Sequence, residues 1–158
     1  MKIQTSRFGM LDVSDETLLI FPSGLVGFPA FRRFVVLDAA EASDYQWFQS
    51  VDDPSFAVVI VDVHLLQENF FVDVPDEGLA ELDMIQNDPI LIMAVVTIPS
   101  GRPDQATANL RAPLVVNLRT RKGKQMILHE SIPLRYPLLQ APAEHKPEHE
   151  VVTEPASV

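Results

Sequence analysis

Ile90-Leu91-Ile92-Met93-Ala94-Val95-Val96-Thr97-Ile98 is the longest apolar stretch in the chain, interrupted only by Thr97. It has the length of a strand and falls far short of the roughly 20 apolar residues that cross a bilayer. Its β-branched side chains are stiff at χ1 and fit a pleated surface, so the run predicts a central strand.

The segments on either side read the same way. Downstream, Leu114–Leu118 and Gln125–His129 flank Lys122-Gly123, which predicts a hairpin turning at that pair. Upstream, Phe56–Val61 and Trp47–Val51 are separated by the turn residues Asp52-Asp53-Pro54. Phe34–Leu37 is a short apolar strand, Leu18–Phe21 stops at Pro22, and Ser23–Pro29 is a glycine- and proline-punctuated loop. Ile3–Phe8 and Met10–Val13 make a first hairpin about Gly9, and Phe70–Val74 reads as a strand that stops at Pro75. One helix is expected from Glu77 to Met84, capped by Asp76, with Leu79, Leu82 and Ile85 along one face. Many short strands with one short inserted helix predict a mostly β fold, a small antiparallel β-barrel or barrel-like sandwich. Residues 1–140 form one domain in this reading, and 141–158, with three prolines and four glutamates, form a flexible acidic tail.

Charge narrows the partners. The chain has 158 residues, a formal charge of −10 and a pI near 4.7. No lysine or arginine lies between Arg33 and Arg102, a stretch that carries thirteen carboxylates. A one-signed field of this kind repels phosphate backbones and attracts cationic surfaces, which points to a basic protein partner and away from direct nucleic-acid binding. The counter-charge is concentrated in Arg111, Arg119, Arg121, Lys122 and Lys124. It is either a solvated hairpin turn or a basic edge that orients the molecule on its partner. The polar N-terminus shows no secretory signal and no run is long enough for a membrane span, so a cytoplasmic protein is expected.

The chemistry-bearing residues are sparse. With no cysteine, disulfides, thiolate zinc sites and cysteine nucleophiles are excluded. His64, His129, His145 and His149 form no H-x-H or H-E-x-x-H, so no metal is expected, and neither a phosphate-loop nor a nucleophile-elbow motif is present. Asp52 and Asp53 could suggest a glycosidase couple, but adjacent residues on a strand face opposite ways, and turn residues are the simpler reading. No catalytic residue and no cofactor is expected. Trp47 reads as core, as do Phe28 and Phe31, although these two could serve as exposed anchors.

Gln105-Ala106-Thr107-Ala108-Asn109-Leu110-Arg111-Ala112-Pro113-Leu114-Val115-Val116-Asn117 is an unusual run of small residues leading through Ala-Pro into a strand. Asn109 suits a turn amide or an interface contact, and Asn117, if it shares the inward face of Val115, needs hydrogen-bond partners of its own. Continued through Lys122-Gly123-Lys124-Gln125, the run resembles the FliW family of bacterial flagellar assembly factors, which carries T-A-N-L-x-A-P, a hydrophobic strand ending in asparagine, and K-G-x-Q. Ile20–Phe28, Phe48-Gln49-Ser50-Val51 and Phe71-Val72-Asp73-Val74-Pro75 also match, over about residues 1–139. The resemblance implies a β-barrel without catalysis that binds the RNA-binding translational regulator CsrA, relieves repression of flagellin mRNA, and binds flagellin. Asp73, Asp76, Glu77, Asp52, Asp53 and Asn109 are the candidate partner-binding residues. The alternatives are an export chaperone for flagellin alone and a small β-barrel enzyme with a carboxylate pair in its mouth.

Overall fold

The computed structural model describes residues 1–40 and 43–138; Glu41 and the acidic segment 141–158, with His145 and His149, lie outside them. A hairpin of β1 (Lys2–Thr5) and β2 (Gly9–Asp12) forms a small sheet of its own. Gly9 turns it at φ +70°, and the Thr5 hydroxyl donates to the Gly9 carbonyl while accepting from the Phe8 N–H.

The main sheet begins as an antiparallel meander of β3 (Leu19–Ile20), β4 (Arg33–Asp38), β5 (Tyr45–Ser50) and β6 (Ala57–Asp62). The connection out of β6 carries the short helix α1 (Asp76–Glu81) and returns as β7 (Ile90–Thr97). After β8 (Thr107–Ala108) come β9 (Leu114–Asn117) and β10 (Lys122–Gln125), and β11 (Tyr136–Pro137) pairs with β8. β9 lies along the first half of β7, from Ile90↔Asn117 to Met93↔Leu114, and pairs with β10 on its other side. β10 then reaches β3, so β7, β6, β5, β4, β3, β10 and β9 close a seven-stranded barrel. The expected mostly β barrel with one short inserted helix is the observed fold. Its pairings are antiparallel except at the closing seam, where Lys122 and Ile20 make a single parallel pair and the Ile20 N–H donates to the Arg121 carbonyl at 2.9 Å.

The strands bury residues on both faces, which is why alternation is weak in their sequence. Phe21, Phe34, Phe48, Ile60, Met93 and Leu114 form one cluster, and the intervening Trp47, Val61, Ile92, Ala94 and Val115 belong to the other. Phe34 and Phe48 stack with centroids 4.2 Å apart, and Phe21 meets both edge-on. Trp47 is core as expected, with the Arg7 guanidinium 4.3 Å over its ring. Phe28 is not: it is 45% exposed and stacks on the partly buried Phe31, against Phe56.

Three local expectations are corrected. The hairpin turns at Leu118–Arg121, not at Lys122-Gly123; Arg121 takes a left-handed φ of 62° and its N–H closes the loop on the Asn117 carbonyl. Gly123 lies inside β10 because the Phe21 ring occupies the space a Cβ would need. Phe70–Val74 is not a strand, since it joins no ladder. α1 starts one residue early, with Pro75 at the cap and Asp76 in the first turn, and stops at Glu81. Asp83 ends it with φ 49°, and the Met84 N–H folds back onto the Leu79 carbonyl. Leu82 is therefore fully buried while Ile85 is 61% exposed.

Gly123→Ala should lower unfolding free energy in urea by about 1–3 kcal/mol, the usual cost of overpacking a filled core. Adding Phe21→Leu should recover part of that loss if the overlap with Phe21 is its cause.

Candidate functional site

The basic cluster is turned onto the chain itself. Arg111 donates to the carbonyls of Ile132 and Glu130, and Arg121 donates to those of Leu18 and Thr17. Arg119 pairs with Asp88, Lys122 with Asp83 at 2.7 Å, and Lys124 with Glu81 at 3.4 Å. The hairpin loop and β10 thus supply cations to α1 and the segment after it. Three carboxylates of the one-signed stretch find their counter-charge this way, and a fourth, Asp52, finds it in Arg33. As solvent-accessible pairs, those of Asp83 and Glu81 contribute at most about 1 kcal/mol each.

Asn117 is the centre of this junction. It is fully buried, and its Nδ2 donates to the Leu82 carbonyl at 3.1 Å and to Asp88 at 2.9 Å, while its Oδ1 accepts from the Arg119 N–H. The partners demanded by a buried amide are all present. Asp88 has only 3% of its side chain exposed and also accepts from the Ile85 N–H. The Arg119 guanidinium, above all, holds its carboxyl well below the usual carboxylate range, against an opposing effect of burial, with Ile85 and Asn117 adding to the lowering. In the sequence Arg119 is one member of the basic cluster and Asp88 one of the thirteen acids, and nothing there pairs them, although Asn87-Asp88-Pro89 has turn chemistry.

Asp52, Asp53 and Asn109 serve the chain's own backbone. Asp52 accepts from the Arg32 and Arg33 N–H groups and from the Arg33 guanidinium; burial would raise its pKa, but these bonds together lower it. Asp53 accepts from the Ser55 N–H and hydroxyl, which also lowers its pKa. Asn109 Oδ1 accepts from the N–H groups of Arg111 and Ala112, bracing the turn into β9.

Asp73, Asp76 and Glu77 differ. They cluster at the corner where the chain enters α1 and are exposed, and their carboxylates make no hydrogen bond or ion pair among the described residues. Beside them runs a groove of about 510 Å³, lined by Phe71, Val72, Met84, Ile85, Ile90 and Ile92 among others. Phe71 is 78% exposed there. The groove also includes His64, Asp73 and Asp88, but these do not converge on a common point. His64 Nε2 is 2.9 Å from the Phe70 carbonyl and its Nδ1 is 3.6 Å from Asp62, while Asp88 is taken up by Arg119 and Asn117. No group of three or more acids and histidines able to hold a metal occurs among the described residues, and no helix there is long and apolar enough to cross a membrane.

The lowered carboxyls of Asp88 and Asp52 stabilise the fold above their unfolded value near 3.8, and that contribution is lost as pH falls through the lower folded values. The Tm of the parent should therefore drop steeply below about pH 4. Asp88→Asn, measured by calorimetry, should be less stable at neutral pH and show a flatter acid limb.

A family model described as FliW protein matches residues 2–138. The flagellar assembly factor FliW of Syntrophus aciditrophicus is 36% identical over 141 residues, covering 89% of each chain. Those of Magnetococcus marinus and Thermotoga maritima are 34% and 33% identical, covering 88% and 85% of this chain and 85% and 91% of theirs. A crystal structure of the flagellar assembly factor FliW superposes with a TM-score of 0.78 at 27% identity, covering 92% of this chain and all of the other. With its family-model match, its relatives above 30% identity and the matching fold, this chain belongs to the FliW family of flagellar assembly factors.

Proposed function

We propose that this flagellar assembly factor acts in the cytoplasm without making or breaking a bond. It binds the translational regulator CsrA, relieves its repression of flagellin mRNA, and binds flagellin, whose free pool then competes for it and couples translation to assembly. Family membership supports the setting. The observation that carries the mechanism is the corner of Asp73, Asp76 and Glu77, three exposed carboxylates that pair with no cation among the described residues.

Four other carboxylates of the acidic stretch already hold a cation, which lowers their pull on a partner. Asp52 is tied to Arg33, Asp88 to Arg119, and Asp83 and Glu81 to the hairpin lysines. The remaining charge at the corner attracts a basic surface, and an acidic body seated beside an RNA-binding surface obstructs phosphate approach both sterically and by its field.

The test is a gel-shift titration in which the protein displaces CsrA from flagellin leader RNA. The triple variant Asp73→Asn, Asp76→Asn, Glu77→Gln should need about tenfold more protein, roughly 1.4 kcal/mol spread over three rim charges, and the parent's effect should weaken as salt rises. Displacement by the triple variant equal to the parent's would remove the charge mechanism. Separate pull-downs with CsrA and with flagellin distinguish the coupled role from an export chaperone.

A further inference from the structure

The segment Phe71–Val74 has a strand's alternation of exposed and buried side chains and yet makes no backbone hydrogen bond among the described residues. Phe71 and Asp73 face out, Val72 is buried and Val74 half-buried. On its near side, the Phe70 N–H donates to the Gln67 carbonyl and the Phe70 carbonyl meets His64. On its far side, the Pro75 carbonyl accepts from the Leu79 N–H. Between these anchors, the four N–H and four C=O groups of Phe71, Val72, Asp73 and Val74 bond to nothing in the described chain. Backbone polar groups in native folds are almost always paired, and a row of them left open on an extended segment is a template for another strand.

Across the groove the start of β7 repeats this condition. Ile90, Leu91 and Ile92 pair with β9 on one side, but β6 ends at Asp62, opposite Met93, and leaves the other side of those three residues without a strand. Apolar side chains, Phe71, Ile85 and Ile90, stand exposed around the opening, and Asp73 lies in its rim.

We propose that Phe71–Val74 receives an extended, basic, β-branched segment of a partner protein by strand addition, with apolar residues of that segment in the groove and its basic residues against Asp73, Asp76 and Glu77. This rests on the reading that the acidic corner meets a basic protein, and adds the way in which the contact is made. Main-chain pairing supplies affinity in such complexes, and the alternating side chains supply selection. The sign of the rim decides between occupants. The chain's own segment 141–158 carries Glu144, Glu148, Glu150 and Glu154 against Lys146, so it meets like charge here, while a cationic strand meets opposite charge.

The probe is a fluorescein-labelled octapeptide that alternates lysine with valine and isoleucine, titrated into the full chain by fluorescence anisotropy. A second peptide of the same sequence is N-methylated at alternate residues, which removes edge hydrogen bonds and keeps every side chain and charge. The first peptide should bind and the second should bind about tenfold more weakly or worse, a loss expected from a few missing backbone hydrogen bonds. Amide exchange of Phe71–Val74 should be fast in the free protein and slow in the complex. Phe71→Ser should weaken the peptide with no change in Tm. Equal binding of the two peptides, no binding of either, or slow exchange at Phe71–Val74 in the free chain would each overturn strand addition. If CsrA binding is lost in the Asp76→Lys, Glu77→Lys variant but unchanged in Phe71→Ser, the acidic-face reading stands and the strand-addition proposal alone falls.

Discussion

The junction at one end of the barrel depends on a single buried amide. Asn117 ends β9, the strand that pairs with both β7 and β10, and its side chain bonds the last turn of α1, the Asp88 carboxylate and the backbone entering the hairpin loop. An amide has both donors and an acceptor, so it can join a carbonyl, a carboxylate and an N–H at one point, where an apolar residue would leave all three unpaired. Asp88 and Arg119 are held in place through it, and with them the chain between α1 and β7. The corner of Asp73, Asp76 and Glu77 lies at the opposite end of α1 from that anchored segment.

The charge pattern takes on a different meaning in three dimensions. In the sequence, a long acidic stretch and a short basic one look like two separate surfaces. In the fold, the basic hairpin is consumed by α1 and its neighbourhood, so acid and base cancel at the junction and a smaller cluster stays exposed. Charges already paired within the chain add little to the attraction of a partner, so Asp52, Glu81, Asp83 and Asp88 weigh less than the unpaired acids of the stretch.

Most strands were legible because their signals are local. β4, β5, β6 and β7 are runs of β-branched and aromatic residues with turn residues between them, and each pairs with a neighbour in sequence. What the sequence hid is non-local. Lys122-Gly123 has the composition of a turn, but the glycine answers to Phe21, far away in the chain, and the real turn uses Arg121 in a left-handed conformation that composition does not advertise. Phe70–Val74 has a strand's alternation, but no ladder reaches it, and alternation alone says nothing about partners. The acidic corner was visible in composition, whereas the groove beside it was not, because it forms between Phe71, Ile85 and Ile90, which come together only once α1 is folded.

The seam between β3 and β10 sets an order of events during synthesis. It joins Ile20 to Lys122 through one parallel pair, and Arg121 reaches back to the carbonyls of Thr17 and Leu18. The meander from β3 to β7 can assemble from near neighbours as it leaves the ribosome, but it remains an open sheet with β3 unsealed until the last strands emerge. Closure of the barrel therefore reports that translation has passed the β10 codons. α1 and the segment after it gain their ion pairs to Arg119, Lys122 and Lys124 only once those later residues have been made.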